Sequence, residues 1–370
     1  MNGTDRHLLD EQSIHWTEYG IPIRNLWHML LYAWNELSFR RLWSNEDVDN
    51  SPTLDALLAT ILAKLMQQRL RIGLGRNYVD ERFSIRGVRG RIDFTKSLKR
   101  RTFEHGMTFC KFQHYSANVL KNQIVRSMIA RLVQVGNFGP DVARANELRH
   151  HLRWLSRGLD SIDLIELKPD IIHRQQLGRN DGDYRLMLDI CELLLQRQMP
   201  TDDDGIQKIS SLDRDSMVFH RIYERFVANF YRIHLKGWAV TPQMRLGWHE
   251  KNPNPFMPAM HPDLVLEDKL SGRIIILDTK FTAQSLIDNQ WSKQVFSSSN
   301  LYQMYAYLRS QEHRSDEYRV STGILLYPTA SQHVSEEIDL QGHRMIIKTV
   351  DLTRQWQEIE AFLIALIENA

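Results

Sequence analysis

Four apolar residues in a row, Ile274-Ile275-Ile276-Leu277, run directly into Asp278-Thr279-Lys280, and no other stretch constrains the fold as tightly. An unbroken aliphatic run of this length reads as a central strand covered on both faces. A second apolar run, Leu264-Val265-Leu266, lies upstream behind His261-Pro262-Asp263, and Ser271-Gly272 between the two supplies a hairpin turn. With the turn centred between Leu270 and Ser271, Asp263 and Asp278 are equidistant from it and fall opposite each other. Opposed side chains of an antiparallel pair share a face, with Cβ atoms about 4.5–5.5 Å apart. The two-residue period of a strand then brings Lys280 to that face and sends the Thr279 side chain to the other, leaving Thr279 its backbone carbonyl to offer.

Two carboxylates that close repel each other unless a cation sits between them, and an all-oxygen donor set suits Mg²⁺, with Mn²⁺ as a substitute. Such a cation polarises a phosphodiester oxygen and lowers the pKa of water beside it, while a neighbouring ammonium offsets transition-state charge. Asp263, Asp278 and Lys280 are therefore the candidate catalytic group, and Asp263, Asp278 and the Thr279 carbonyl the candidate metal ligands. The competing reading is a surface ion pair at a hairpin end, which fits poorly with an otherwise apolar strand, where a buried charge pair is costly. Downstream, Gln303 and Tyr307 stand at i and i+4 on one helix face. Gln303 is placed to hydrogen-bond near the metal or to DNA, and Tyr307 to pack behind it or touch a base; an ordinary amphipathic helix is the alternative. Glu224, in the helix ahead of the sheet, is either a further metal-shell carboxylate or an exposed helix charge.

The rest of the chain sets these residues in a domain. Leu54, Leu57, Leu58, Ile61, Leu62 and Leu65 share one helical face, as do Leu120/Ile124/Met128/Leu132 and Tyr184/Met187/Leu188/Cys191. Between them, residues 70–115 are glycine-rich and alternate like short strands. Residues 69–101 hold eleven Lys or Arg against three Asp or Glu, although the whole chain is only +2. That stretch is either a solvated basic face or a surface for an acidic partner. The breaker-rich Thr201-Asp202-Asp203-Asp204-Gly205 marks a boundary. Beyond it the pattern reads helix, three strands, helix, strand, helix. The expected fold is α/β: a mainly helical N-terminal domain over 1–200 with a small β insertion, and a C-terminal mixed-sheet α/β sandwich over 213–370. Two distant cysteines, Cys110 and Cys191, exclude a multi-cysteine metal site and a disulfide framework. No apolar run is long enough for a signal segment or a membrane span, so a cytoplasmic protein is expected.

Pro262-Asp263 followed by Asp278-Thr279-Lys280 resembles the PD-(D/E)XK nuclease signature, and the Gln303/Tyr307 helix looks like the RecB-type branch of that superfamily. Ile21-Pro22-Ile23-Arg24-Asn25-Leu26-Trp27 through Tyr32-Ala33-Trp34 is similar to the opening of the McrC family. Gly90-Arg91-Ile92, Asn300-Leu301-Tyr302-Gln303 and Gly323-Ile324-Leu325-Leu326-Tyr327-Pro328 match further family segments in order, so the likeness runs from about residue 20 to 355. It implies the Mg²⁺-dependent endonuclease subunit of a two-component restriction system acting on double-stranded DNA with modified cytosine. It also implies an McrB-like AAA+ GTPase partner that binds the GTP and whose hydrolysis this chain stimulates through its N-terminal half. The basic segment would be the projecting element, with Arg89, Arg91, Lys99, Arg100 and Arg101 meeting the ring or passing DNA. The chain has no Gly-x-x-x-x-Gly-Lys-Ser/Thr loop of its own. Two other readings stay open: a stand-alone RecB-like nuclease, and a catalytically silent adaptor that only activates a motor ring.

Overall fold

The structure, a computed structural model, describes residues 17, 20–42, 51–175, 177–178, 181–198, 211–249, 254, 256–281, 286–288, 294–329 and 333–370. In chain order the named elements are α1 (Ile23–Ala33), α2 (Leu54–Ile72), β1 (Asn77–Arg86), β2 (Arg91–Ile92), α3 (Phe94–Lys99), β3 (Met107–Ser116), α4 (Leu120–Val135), α5 (Val142–Gly158), α6 (Pro169–His173), α7 (Gly182–Gln198) and α8 (Ser211–His234). Then come β4 (Trp238–Pro242), β5 (Leu264–Asp268), β6 (Ile274–Thr279), β7 (Leu286–Asp288), β8 (Gln294–Phe296), α9 (Ser298–Gln311), α10 (Asp316–Arg319), β9 (Thr322–Thr329), β10 (Ser335–Leu340), β11 (His343–Asp351) and α11 (Trp356–Glu368).

The chain divides into two compact units, one of Asp55–Met199 and one of Met1–Leu54 with Pro200–Ala370. This corrects the expected N-terminal domain of residues 1–200, because α1 packs with the C-terminal elements. Nine of its residues are buried, on all sides of the helix, which an isolated surface helix never shows. Tyr32 sits among the rings of Phe226, Phe230 and Trp356, with centroids 5.4–5.8 Å away. Its hydroxyl donates to Glu360 Oε1 at 3.0 Å, and Asn25 Nδ2 donates to the Leu352 and Arg354 carbonyls at 2.8 Å each. A repetitive apolar pattern shows that α1 is buried but not by what, and chain order was a poor guide.

The unit of Asp55–Met199 is helical with a β projection, as expected. Acidic Asp55 opens α2 and basic Arg69 and Arg71 close it, complementing the helix dipole. Leu57, Leu58, Ile61, Leu62 and Leu65 are buried, as are Ile124, Met128 and Leu132 of α4 and Tyr184, Met187 and Cys191 of α7. A polar pin crosses this core: Tyr184 donates to Asn122 Oδ1, and the Gly75 amide donates to the Tyr184 hydroxyl at 2.9 Å. The 70–115 segment is more regular than its sequence suggests. β1 and β3 pair over ten residues each, from Asn77↔Ser116 to Arg86↔Met107. Only Arg91 and Ile92 of the expected strand there are extended; Asp93 caps α3 by accepting from the Lys96 amide.

The β1–β3 ribbon would be marginal alone, and it is braced at its tip, where β2 pairs with β3 at Arg91↔Lys111 and Ile92↔Cys110. Buried Ser97 accepts from the Phe109 amide at 2.9 Å, while Lys96 and Arg100 lie over the Phe109 ring. Gly90, at φ +68, passes so close to β3 that a Cβ would stand 2.5 Å from the Lys111 carbonyl. Arg89, Arg91, Lys99, Arg100 and Arg101 are all exposed around this tip, together with Val88, Phe94 and Leu98.

The other unit is built on a six-stranded mixed sheet, ordered β10-β11-β9-β6-β5-β4. Strands β4, β5 and β6 are antiparallel neighbours, whereas β6–β9 and β9–β11 are parallel. The parallel step from β6 to β9 needs a crossover, and α9 supplies it. Ile276, Val265, Leu325 and Tyr327 share an apolar cluster with Met304, Tyr307 and Leu308 of α9. On the opposite face, α8 and α11 cover the sheet. All six residues of β6 are buried, which explains its unalternated sequence. The β10–β11 hairpin extends the sheet by two strands that the sequence pattern missed; β10 (Ser-Glu-Glu-Ile-Asp-Leu) is a polar edge strand, whose charges block pairing with another chain.

Candidate active site

The β5–β6 ladder runs Leu264↔Leu277, Val265↔Ile276, Leu266↔Ile275, the register counted from the turn. One further step sets Asp263 opposite Asp278 at the mouth of the hairpin. Asp278 lies two residues beyond Ile276 and so faces α9, as does Lys280. Lys280 Nζ stands 2.5 Å from Asp278 Oδ2 and donates to Gln303 Oε1 at 2.7 Å. Gln303 Nε2 in turn donates to the Tyr307 hydroxyl at 2.7 Å, and that hydroxyl reaches the His261 carbonyl at 3.4 Å. The helix after β6 thus holds the lysine by its head, and the chain of bonds ends on backbone beside Asp263.

Asp263 behaves differently from a residue in regular ladder geometry. Its Oδ2 accepts from both the Thr279 amide, at 2.7 Å, and the Thr279 hydroxyl, at 2.5 Å. This corrects the expectation that the Thr279 side chain turns away from the site. Asp263 lies one residue before β5 begins, so its carboxylate takes the place of the missing ladder carbonyl and Thr279 closes on it. Asp263 Oδ1 accepts from Gln243 Nε2 at 3.2 Å, and the same Nε2 donates to Glu224 Oε1 at 2.6 Å. Of the two roles open to Glu224, its position favours membership of the site. Tyr307 also resolves: at 4% exposure it packs behind Gln303, which corrects its assignment as a partner or DNA contact, since a buried ring meets neither. Arg89, Arg91, Lys99, Arg100 and Arg101 belong to the other unit.

The electrostatics follow from burial. Burial pushes the Asp278 carboxyl up to about 6; the charge of Asp263 adds to the rise, and Lys280 opposes it. Glu224 is likewise raised, first by burial and then by Asp263. Asp263 is thus the shared electrostatic neighbour of two other acids. Tyr307 is pushed up to about 12 by burial and by the charge of Asp278, so it remains a neutral phenol.

Asp278 Oδ2 is buried, and the Lys280 ammonium 2.5 Å away is its ion-pair partner; no further hydrogen bond reaches it among the described residues. An anionic oxygen in that state is a ready cation ligand. Asp263 Oδ1 keeps a lone pair after accepting from Gln243, whereas Oδ2 spends both on the Thr279 amide and hydroxyl. No group of three or more His, Cys, Asp or Glu in ligand geometry occurs among the described residues. Two carboxylates without histidine or thiolate suit Mg²⁺, which retains several waters, better than Zn²⁺. The donor set therefore fits a hard divalent cation.

Gln243 escaped the sequence reading because a lone glutamine after proline carries no periodic signal. Register would have found it: Pro242 pairs with Leu264, so Gln243 falls opposite Asp263 on the side away from Asp278.

A mixed-sheet α/β unit with acids and a lysine gathered at the end of its central strand is the class that fold and site define. The chain belongs to the family of McrBC 5-methylcytosine restriction system components, whose model matches residues 6–328. A relative from Escherichia coli (strain K12), the type IV methyl-directed restriction enzyme EcoKMcrBC, is 26% identical over 353 residues, 94% of this chain and 98% of the relative. Among solved structures, a chain of the half-complex from the tetradecameric assembly of Thermococcus gammatolerans McrB AAA+ hexamers with bound McrC has the same fold. It aligns at a TM-score of 0.54 and 14% identity, over 93% of this chain and 76% of that one. No helix among the described residues is long and apolar enough to cross a membrane.

Proposed function

We propose that this chain is the DNA-cleaving subunit of its restriction system, a Mg²⁺-dependent endonuclease of the PD-(D/E)XK type that works with an McrB-like AAA+ GTPase. The observation that carries this reading is the buried Asp278 carboxylate, ion-paired with Lys280 and set opposite Asp263 at the end of the central hairpin. Asp263, Asp278 and the Thr279 carbonyl would hold the cation, with Glu224 as an outer member. When bound, the cation supplies Lewis acidity toward a phosphodiester oxygen and eases ionisation of nearby water. The protein's own residues supply positioning. Gln303 holds the Lys280 ammonium where it meets a phosphate oxygen and stabilises the charge that develops there. Tyr307 fixes Gln303, and Thr279 fixes Asp263. The family membership and the Escherichia coli and Thermococcus relatives support modified cytosine as the mark and an AAA+ ring as the motor. The test is cleavage of methylated and unmethylated DNA with partner, GTP and Mg²⁺ omitted in turn. Full cleavage without partner or GTP would favour a free-standing nuclease; GTPase stimulation without any cleavage would favour an adaptor.

The raised Asp278 carboxyl gives the reaction an acid limb. Below about pH 6 a proton and the cation compete for the same carboxylate. At subsaturating Mg²⁺, cleavage is expected to fall as pH drops through that region, and added Mg²⁺ to shift the midpoint downward. A midpoint that ignores Mg²⁺ would separate Asp278 from the cation.

For the partner, the exposed basic tip carries the reading, because it sets Arg89, Arg91, Lys99, Arg100 and Arg101 beside the exposed apolar Val88, Phe94 and Leu98. Reversing charge at Arg100 and Arg101 together is expected to weaken stimulation of partner GTPase about tenfold, equivalent to about 1.4 kcal/mol of interface energy. Unchanged stimulation with weakened DNA binding would assign the tip to DNA.

A further inference from the structure

Gln243 is exposed, yet its backbone and side chain are both committed. Its φ is +47, in the left-handed region that glycine enters freely and other residues seldom do. A non-glycine residue persists there only where surrounding contacts hold it. The backbone is fixed to the strand that brings in Asp263: Gln243 N donates to the Asp263 carbonyl at 3.0 Å, and its carbonyl lies 3.4 Å from His261 Nδ1. The side chain then spans two elements, with Nε2 donating to Glu224 Oε1 of α8 at 2.6 Å and to Asp263 Oδ1 at 3.2 Å. Both partners are acceptors only, so the amide orientation is unambiguous. Gln243, Asp263 and Asp278 follow one another across β4, β5 and β6 in register.

We propose that Gln243 is a positioning residue of the cation site, its carboxamide gathering Glu224 and Asp263 onto one donor and so fixing Asp263 beside Asp278. The proposal rests on the nuclease reading above. A neutral NH₂ group is the appropriate tie. Two carboxylates left alone would spread apart, whereas a lysine in that place would compete with the divalent cation for both. With Thr279 holding Oδ2 and Gln243 holding Oδ1, the Asp263 carboxylate is clamped from both flanking strands.

The experiment measures Mn²⁺ binding to the full-length, DNA-free chain by electron paramagnetic resonance, alongside the Mg²⁺ dependence of cleavage in the complete system. Gln243→Met keeps the length and removes the donor; Gln243→Gly removes the donor and relaxes the backbone. Both are expected to weaken Mn²⁺ binding about tenfold or more, the usual cost of losing a group that orients a ligand. The Mg²⁺ concentration for half-maximal cleavage should rise in step, with the rate at saturating Mg²⁺ changing little. Gln243→Gly should melt no lower than wild type, which separates the loss from misfolding. Wild-type Mn²⁺ affinity in both variants, or a loss confined to the saturated rate, would overturn the proposal. Asp278→Asn in the same titration keeps the two readings apart. If wild type takes up no Mn²⁺, or Asp278→Asn takes it up equally well, the nuclease reading itself fails.

Discussion

Asp278→Asn and Lys280→Ala are each expected to lower DNA cleavage by at least about 10²–10³-fold, the scale of losing one preorganised group at a site of developing charge, while stimulation of the partner's GTPase stays at wild-type level. The two activities should part because the residues involved belong to different compact units, the acids and lysine to one and the basic tip to the other. Asp278→Asn should also raise the melting temperature of the cation-free protein at neutral pH. Burial holds the folded-state pKa above the unfolded value, so the native protein binds the proton more tightly than the unfolded chain. That contribution to stability is complete below the unfolded value of 3.8 and is lost as pH rises through about 6. Removing the charge restores it, so the gain should be several degrees at pH 8 and vanish near pH 4. A variant that lost cleavage and GTPase stimulation together while melting normally would contradict the division of labour. One that melted lower at pH 8 would contradict the burial cost assigned to the Asp278 carboxylate.

A fragment beginning at Pro200 should fail to fold, whereas the same fragment joined through a flexible linker to residues 1–54 should melt cooperatively. Without α1, the faces of Phe226, Phe230 and Trp356 now covered by Tyr32 would be bare. The Leu352 and Arg354 carbonyls would lose Asn25, and Asn229 would lose the Tyr32 and Ala33 carbonyls. Emptying a single buried aromatic position typically costs about 3–5 kcal/mol, against a whole-domain stability of about 5–15 kcal/mol. A helix with nine buried residues exceeds that margin. Circular dichroism melting and dye binding to exposed apolar surface decide it. A cooperative melt of the 200–370 fragment alone would show that α1 is an accessory.

The central hairpin was the most legible part of the chain because everything that determines it is local: two apolar runs, one turn and a two-residue period. Those features gave the Leu264↔Leu277 register and hence the approach of Asp263 to Asp278. The helix carrying Gln303 and Tyr307 was legible for the same reason. Where a long-range choice decides, local pattern fails. The apolar stripe of α1 matches many surfaces, and nothing within residues 23–33 says that its partner lies beyond residue 200. The turned-in Thr279 hydroxyl escaped because strand alternation assumes a ladder, and the ladder stops one residue after Asp263. Strands β10 and β11 escaped partly because an edge strand of Ser, Glu and Asp looks like a loop.

The order in which this chain leaves the ribosome differs from the order in which its pieces meet. Helix α1 emerges early, yet the rings that receive Tyr32 are encoded almost two hundred residues later, in α8, and Trp356 later still. At about 5–20 residues per second that separation means a wait of roughly 10–40 s. During it, an eleven-residue helix with nine residues destined for burial waits without the rings that will cover it. The intervening helices belong to a compact unit of their own, Asp55–Met199, and can settle in that interval. Biogenesis should therefore run from the middle outward, with the unit that carries Asp263, Asp278 and Lys280 the last to mature.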